Sequence, residues 1–336
     1  MKKTVIFVLV LLLAMIVVPV AALDLSEFST KNVKNTFSTP IFEKSEEPNA
    51  ENSDTVKVMA KADGNIMTAS VTEYLVGCVA SEMPATYHEE ALKAQAVAAY
   101  TNLVRLRKNP DSSLGGADIS DDPKKHQGYL NEEQQKEKWG DKYERYHEKI
   151  LSAVSEVAGE AVTYNSEPIV AAYCAISTGK TENAADIWGG ELPYLVSVVS
   201  SGDKLSPDCS STVVLSTEQF RQALSGEGDI QLGDDPSAWI GNIERTEAGA
   251  VKNITIGSKT LTGANARKLF SLRSPAFSVE YSNGNFTFNV SGYGHLIGMS
   301  QYGADYMARN GSDYKTILTH YYTGTEIKKG SVTTNG

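Results

Sequence analysis

Shortages of cysteine and of basic residues exclude two classes of protein. The chain has three cysteines, Cys78, Cys174 and Cys209, among 336 residues, which are too few and too scattered for a disulfide framework. A single bond between Cys174 and Cys209 outside the cytoplasm stays open. Lys and Arg number 31 against 41 Asp and Glu, for a formal net charge of -10. Nucleic-acid binding depends on clustered basic side chains that neutralise phosphates, so the composition argues against a nucleic-acid partner.

One long apolar run stands at the N-terminus. Residues 5–23 carry no charge and follow Met1, Lys2 and Lys3. A run of this length can cross the core of a bilayer, and the lysines favour a cytoplasmic N-terminus. We therefore expect residues 1–23 to be a cytoplasmic stub and single transmembrane anchor, with the rest of the chain outside the cell membrane. The alternative is a signal peptide cleaved after residues 20–22.

The remaining chain divides by composition. Residues 24–55 are rich in Ser, Asn, Glu and Lys and lack apolar periodicity, which is typical of a flexible linker. Residues 56–328 are long enough for one large domain or two closely joined lobes. Residues 329–336 form a short tail.

Patterns within residues 56–328 predict an α+β fold, in which hairpin strands and helices surround a substrate groove. Turn sequences between alternating runs predict hairpins at Asp63–Gly64, Asn165–Ser166 and Asn283–Gly284. The charged stretch 121–160 is helical in pattern and predicts a helical arm beside the core. Strands and helices occur in separate runs rather than in strict alternation, which favours α+β over α/β.

An acid on the apolar face of a predicted helix is the best indication of chemistry. Glu82 follows three apolar residues at spacings that turn all four the same way on a helix, Leu75, Cys78 and Val79. Burial disfavours the charged carboxylate and raises its pKa, and an acid protonated near neutral pH can serve as a general acid. The alternative is an exposed Glu at a fraying helix end, because Pro84 stops the helix at about this point.

A second helix is predicted directly after Pro84. Thr86 and Glu89 have the spacing of a capping box, and ALKAQAVAAYTNLVRLR consists largely of good helix formers. Lys93 and Gln95 place polar heads on its alanine-rich surface. They are either ordinary solvated positions or contacts for a ligand.

Glycines are frequent in the C-terminal stretch GYGHLIGMSQYGADYMARNG, residues 292–311. Glycine has no Cβ, so the backbone can pass close to a ligand or to another strand, which suits a groove for a polymer. His295 has three interpretations, as a core histidine held by backbone, a second proton carrier or a substrate contact. Ser300 is either a site residue or a helix N-cap, and Gln301 follows it.

Three blocks of this sequence resemble a known family. ASEMP and EALKAQAVAA form the first block, STGKTENAADIWGGELPYLVSV the second, and the glycine-rich stretch at residues 292–311 the third. Their composition and order resemble the SpoIID/LytB domain family, over residues 56–328. The resemblance implies a membrane-anchored lytic transglycosylase that cuts peptidoglycan glycan strands during sporulation engulfment. It also implies an amidase and a membrane protein of the engulfment machinery as partners, and no cofactor.

The resemblance further implies roles for individual residues. Glu82 would be the catalytic acid and base. The residues expected to contact the glycan strand are Lys93, Gln95, Ser177, Thr178, His295, Ser300 and Gln301. Trp188 either stacks on a sugar face or fills the core.

The number of acids distinguishes two mechanisms. A common glycosidase uses two carboxyl groups, and Glu182 and Asp186 are the candidates for a second one. A lytic transglycosylase manages with one, because the C6 hydroxyl of N-acetylmuramic acid is its nucleophile and intramolecular attack has a high effective concentration. We expect this reaction at the β-1,4 bond to N-acetylglucosamine, giving 1,6-anhydro ends. The resemblance implies a preference for strands free of stem peptides. A water-using hydrolase and a noncatalytic wall-binding scaffold are the alternatives.

Two departures from the family pattern stand out. Tyr100 occupies a position where relatives have Arg. If that Arg orients the acid or the substrate, either the activity is weaker here or Arg105 or Lys93 takes its place. Some relatives hold zinc in the stretch matching residues 118–130, where this chain has Ser120 and His126. One His beside a Ser cannot supply a tetrahedral zinc site, so we predict no structural metal.

Overall fold

The structure is a computed structural model and describes residues 55–228 and 230–329. The predicted anchor at residues 1–23, the predicted linker up to residue 54 and the predicted tail from residue 330 lie outside the described residues. Among the residues described, no helix is both long enough and apolar enough to cross a bilayer.

Helices and small sheets are interspersed along the chain, which confirms the predicted α+β class. The helices are α1 Val71–Glu82, α2 Glu89–Lys108, α3 Glu132–Trp139, α4 Tyr143–Glu156, α5 Ala184–Trp188, α6 Thr217–Leu224, α7 Gly263–Leu269, α8 Gln301–Arg309 and α9 Tyr314–Tyr321. The strands are β1 Thr55–Met59, β2 Ile66–Ser70, β3 Ile119–Ser120, β4 Glu160–Tyr164, β5 Glu167–Pro168, β6 Tyr173–Cys174, β7 Ser210–Ser216, β8 Ile240–Arg245, β9 Val251–Ile256, β10 Lys259–Thr262, β11 Phe277–Ser282, β12 Asn285–Ser291, β13 Met299–Ser300 and β14 Glu326–Lys329. The sheets have the orders β2-β1-β3, β10-β9-β8, β11-β12-β7, β13-β6 and β14-β4-β5.

The predicted hairpins are confirmed. β1 pairs antiparallel with β2, β4 with β5 and β11 with β12. Asn283 and Gly284 both have positive φ at the last of these turns, a conformation that Asn and Gly tolerate better than other residues.

Helix α2 is the centre of the first hydrophobic core. Its alanines are fully buried, and their small side chains let α4, α8, α9 and β4 pack closely around it. The predicted capping box at Thr86 and Glu89 is wrong. The helix begins at Glu89, so the N-cap is His88, whose Nδ1 accepts a hydrogen bond from the Glu90 N–H at 3.3 Å.

The stretch 121–160 is helical as predicted, at α3 and α4, but the prediction of an arm is wrong, because α4 belongs to the first core. Helix α4 buries Ile150, Ala153 and Val154, and it packs against α1 and α2. The segment before α3 crosses α1 at Gly77, whose carbonyl accepts from the Leu130 N–H at 3.1 Å. A Cβ at Gly77 would lie 2.4 Å from the Tyr129 ring, so glycine is required for this approach.

A second core forms between the middle and C-terminal sequence blocks. Phe220, Trp239, Phe286 and Phe288 stack within it, enclosed by β7–β12, α6 and α7. The chain then rejoins the first core, where β13 pairs parallel with β6 and Met299 lies opposite Tyr173. The glycine-rich block is therefore held against the middle block.

Candidate active site

One cavity brings together the acid of α1 and the glycine-rich block. It has a volume of about 680 Å³ and is lined by Glu82, by Asn102 and Arg105 of α2, by Gln127, and by β6. Trp188, Tyr293, His295 and Gln301 also line it. Segments more than 200 residues apart in the sequence thus share one site, in keeping with the predicted groove.

Glu82 is the last residue of α1 and is half-buried in this cavity. The backbone N–H of Gly128 donates a hydrogen bond to its Oε1. Burial raises the pKa of the Glu82 carboxyl above its ordinary value, although the Gly128 hydrogen bond and the charge of Lys138 act in the opposite direction. A carboxyl group in this setting can keep its proton at higher pH than an exposed one, as a general acid requires.

A neutral polar network stands beside Glu82. Gln127 donates to the Tyr74 hydroxyl at 2.7 Å and to the Ala99 carbonyl at 3.2 Å. Its Oε1 accepts from Asn102 and from the Tyr173 hydroxyl, both at 3.4 Å. Asn102, Gln127 and Tyr173 line the cavity in fixed orientations, and sequence analysis missed them because their partners are distant in the chain.

Glu82 is the one acid among the described residues that line the cavity. Glu182 is buried, and its Oε1 accepts from the Ala250 N–H at 2.9 Å. Asp186 forms an ion pair with Lys252 at 3.1 Å. Both candidates for a second catalytic carboxylate are therefore engaged away from Glu82.

His295 is held by the backbone. Its Nδ1 accepts from the Ile297 N–H at 3.0 Å. Burial, with the charge of Arg267, lowers the pKa of His295 to about 4, so the ring is neutral at physiological pH. Of the three interpretations, the backbone-held histidine fits best, since Nδ1 is engaged by the backbone and the ring is neutral.

Gln301 lines the cavity, and Gln95 supports it from behind. The Gln301 Nε2 donates to the Gln95 Oε1 at 3.1 Å, and Gln95 is fully buried. Gln95 does not itself line the cavity, so its position suits an orienting role rather than the expected substrate contact.

The structure does not place the predicted hydroxyl residues in the cavity. Ser300 donates to Asp203 Oδ1 at 2.7 Å and caps α8 by accepting from the Gly303 N–H at 3.2 Å. Ser177 donates to Asp203 Oδ2 through its hydroxyl and its backbone N–H, and the Thr178 hydroxyl donates to the Lys180 carbonyl at 3.3 Å. Burial raises the pKa of Asp203, against the effect of these hydrogen bonds. The expectation that Ser177, Thr178 and Ser300 contact substrate does not fit these positions, because Asp203 ties the middle and C-terminal blocks together inside the protein.

Lys93 also lies outside the cavity. Its ammonium forms ion pairs with Glu89 at 3.3 Å, Glu90 at 2.9 Å and Glu156 at 2.6 Å, so the expected contact with substrate does not fit. Arg105, the other suggested replacement for the family Arg, does line the cavity. Tyr100 packs against the first core.

Two exposed aromatic rings also line the cavity. Trp188 is 46% exposed and Tyr293 is 44% exposed, and Trp188 contacts the His295 ring with a centroid distance of 5.2 Å. An exposed Trp is not filling a core, so the structure favours the interpretation of Trp188 as a stacking surface. Exposed aromatic faces of this kind suit the apolar faces of sugars.

All three cysteines are free, so Cys174 and Cys209 do not form a disulfide. In the stretch 118–130, the Ser120 N–H donates to His126 Nδ1 at 3.3 Å. Within residues 55–228 and 230–329 no group of three or more potential ligand side chains is arranged to hold a metal ion.

Comparison with known proteins gives consistent similarities. A family model described as stage II sporulation protein matches residues 60–164. The chain is 37% identical over 282 residues to stage II sporulation protein D of Bacillus subtilis (strain 168), covering 83% of this chain and 80% of that protein. The protein of the same name from Bacillus amyloliquefaciens is 38% identical over 276 residues, covering 82% and 78%. The amidase enhancer of Bacillus subtilis (strain 168) is 26% identical over 307 residues, covering 75% of this chain and 40% of that protein.

Proposed function

The chain belongs to the family of stage II sporulation protein D, and from this premise we propose that it is a lytic transglycosylase of peptidoglycan. Family membership supports a role in sporulation that concerns the cell wall. The cleavage chemistry, the anchoring at the cell membrane through residues 1–23 and the extracytoplasmic location of the enzyme are parts of the proposal.

The observation that carries the proposal is the half-buried Glu82 in a cavity whose described lining holds no other acid. A reaction with one acid and an intramolecular nucleophile suits this arrangement, whereas a hydrolase of the common type needs a second carboxyl group near the first. Exposed Trp188 and Tyr293 support a sugar substrate.

The proposed reaction moves one proton out and one proton back. Glu82 donates its proton to the β-1,4 glycosidic oxygen, and the bond from that oxygen to C1 of N-acetylmuramic acid breaks. The C6 hydroxyl of the same sugar attacks C1, and its proton passes to the Glu82 carboxylate. The products are a free 4-hydroxyl on N-acetylglucosamine and a 1,6-anhydro end, and the acid is regenerated without water.

An amidase is the proposed functional partner, because one relative is named an amidase enhancer. An amidase that removes stem peptides would supply peptide-free strands to this enzyme. A membrane protein of the engulfment machinery is the second proposed partner.

The test uses the full chain, purified in detergent, and peptide-free glycan strands. We expect products with anhydro ends, which are lighter than reducing ends by one water and are identified by mass spectrometry. Glu82→Gln keeps the shape of the side chain but removes the acid, and we expect the rate to fall by about 10² to 10⁴, the usual contribution of general acid–base catalysis.

The matched control is Glu148→Gln, an exposed position on α4, which should retain the full rate. Reducing ends instead of anhydro ends would select a hydrolase. Binding of strands without cleavage by the unaltered chain would select a wall-binding scaffold.

A further inference from the structure

The cavity carries positive charge that the proposed reaction does not use. Arg105, Lys124 and Lys125 line it, against a single acid, although the whole chain has a net charge of -10. We call these three residues the cationic wall.

Arg105 has a buried side-chain donor without a partner in the described part of the chain. Its Nε is buried and has no hydrogen-bond partner among the described residues. A buried donor without a partner costs free energy, and a guanidinium group is well suited to a carboxylate or phosphate oxygen. The unpartnered Nε of Arg105 therefore indicates that the cavity binds an anionic ligand.

Neighbouring carboxylates are engaged elsewhere. Asp122 accepts from the Lys124 backbone N–H at 3.0 Å and pairs with Lys61 at 3.2 Å, while Asp111 accepts from the Ser113 N–H at 2.8 Å. Neither lines the cavity. The side chains of Lys124 and Lys125 are exposed and remain available to a ligand.

The charges of Arg105 and Lys125 in the cationic wall affect the pKa of His126. Burial lowers the pKa of His126, and the charges of Arg105 and Lys125 lower it further, against the effects of Asp111 and Asp122. Arg105, Lys125 and His126 all line the cavity.

We propose that the cationic wall binds the lactyl carboxylate of N-acetylmuramic acid, with Arg105 as the principal contact. This inference rests on the proposed function. The carboxylate belongs to the sugar at which the bond breaks, so a contact with it also positions C1. A stem peptide converts the carboxylate into a neutral amide, so the cationic wall would make the enzyme distinguish peptide-free strands from substituted ones.

The test compares peptide-free strands with the same strands after their lactyl carboxyl groups have been converted to primary amides. Length and sugar sequence are identical, both strands can give 1,6-anhydro ends, and one charge per N-acetylmuramic acid is removed. With the full chain we expect kcat/KM for the acid strands to exceed that for the amide strands by about tenfold or more, since a hydrogen bond to a charged group contributes about 1.5–3 kcal/mol.

Arg105→Gln should bring the ratio of acid to amide strands close to one, and Lys124→Gln with Lys125→Gln should lower it in part. The second variant changes exposed side chains only, so it tests the proposal even if Arg105→Gln fails to fold. The matched control is Lys142→Gln with Lys268→Gln, both exposed and outside the cavity, which should keep the ratio of the unaltered chain.

The outcomes separate this inference from the proposed function. If the unaltered chain cleaves both strands equally well to anhydro ends, the inference is overturned and the proposed function stands. A preference that persists in both cationic-wall variants also overturns it. If neither strand yields anhydro ends, the proposed function itself fails.

Discussion

Replacing Gly128 with alanine should displace the catalytic acid without changing any charge. A Cβ at Gly128 would lie 2.9 Å from the Glu82 Oε1 and 2.3 Å from the Ser81 Oγ. Real Cβ atoms essentially never come within 3.0 Å of another heavy atom, so both side chains must move. The carboxyl group then loses the alignment of its hydrogen bond from the Gly128 N–H.

Two effects on activity follow from this displacement. A shift well under 1 Å, together with a weakened hydrogen bond of about 1.5–3 kcal/mol, should lower kcat by roughly tenfold to a hundredfold. Burial raises the pKa of Glu82, and the Gly128 N–H lowers it by stabilising the charged form. Weakening this bond raises the pKa of Glu82 further, so the acid stays protonated to higher pH. The alkaline limb of the pH–rate profile therefore shifts to higher pH.

The assay is release of anhydro ends from peptide-free strands, measured as kcat across pH. Ser81→Ala in the Gly128→Ala background removes the shorter contact but leaves the one to Glu82, so activity should remain low. Gly226→Ala, where an added Cβ meets nothing within 4 Å, should be silent. An unchanged rate and an unmoved alkaline limb in Gly128→Ala would refute the reasoning.

Two further predictions concern binding and stability. Trp188→Ala should raise KM about tenfold with little change in kcat, because a stacking surface worth about 1.4 kcal/mol is lost, and Leu205→Ala, at an exposed apolar residue outside the cavity, should leave KM alone. Asp203→Ala should lower the free energy of unfolding by about 3 kcal/mol in urea titrations, since the Ser177 and Ser300 donors lose their acceptor. The control Asp141→Ala, at an exposed residue, should change the free energy of unfolding by less than about 0.5 kcal/mol. An equally small effect of Asp203→Ala would contradict the role of Asp203 in linking the two blocks.

Local signals predicted the elements around Glu82 well. The spacing of apolar residues in α1 and the stop at Pro84 are properties of a few neighbouring residues, so the helix and the position of Glu82 on it were predictable. The hairpin at Asn283–Gly284 is a local matter too, because turn geometry selects those residues. The boundaries of domains outside the described residues stay predictions.

The features that sequence analysis predicted wrongly depend on contacts between residues that are distant in the chain. Helix α4 has a charged face, which suggested an arm, but Ile150, Ala153 and Val154 on its other face pack into the first core. Ser177 and Ser300 were expected in the groove because they stand in the two later sequence blocks, yet both are held by Asp203, which neither block contains. Ser300 and Asp203 are 97 residues apart in the chain, so no local sequence pattern predicts the hydrogen bond between them.

The glycine-rich block acts through geometry rather than by direct contact with sugar at every glycine. A Cβ at Gly298 would lie 2.1 Å from the Ala172 carbonyl oxygen, and one at Gly294 would lie 2.8 Å from the Cys174 Cβ. These glycines therefore allow backbone to pack on β6, the second of the two roles that their lack of Cβ permits. That close packing places His295 and Gln301 in the cavity that holds Glu82. In this arrangement the proposed chemistry depends on one acid, Glu82, and the residues of the other two blocks determine how the glycan strand is bound beside it.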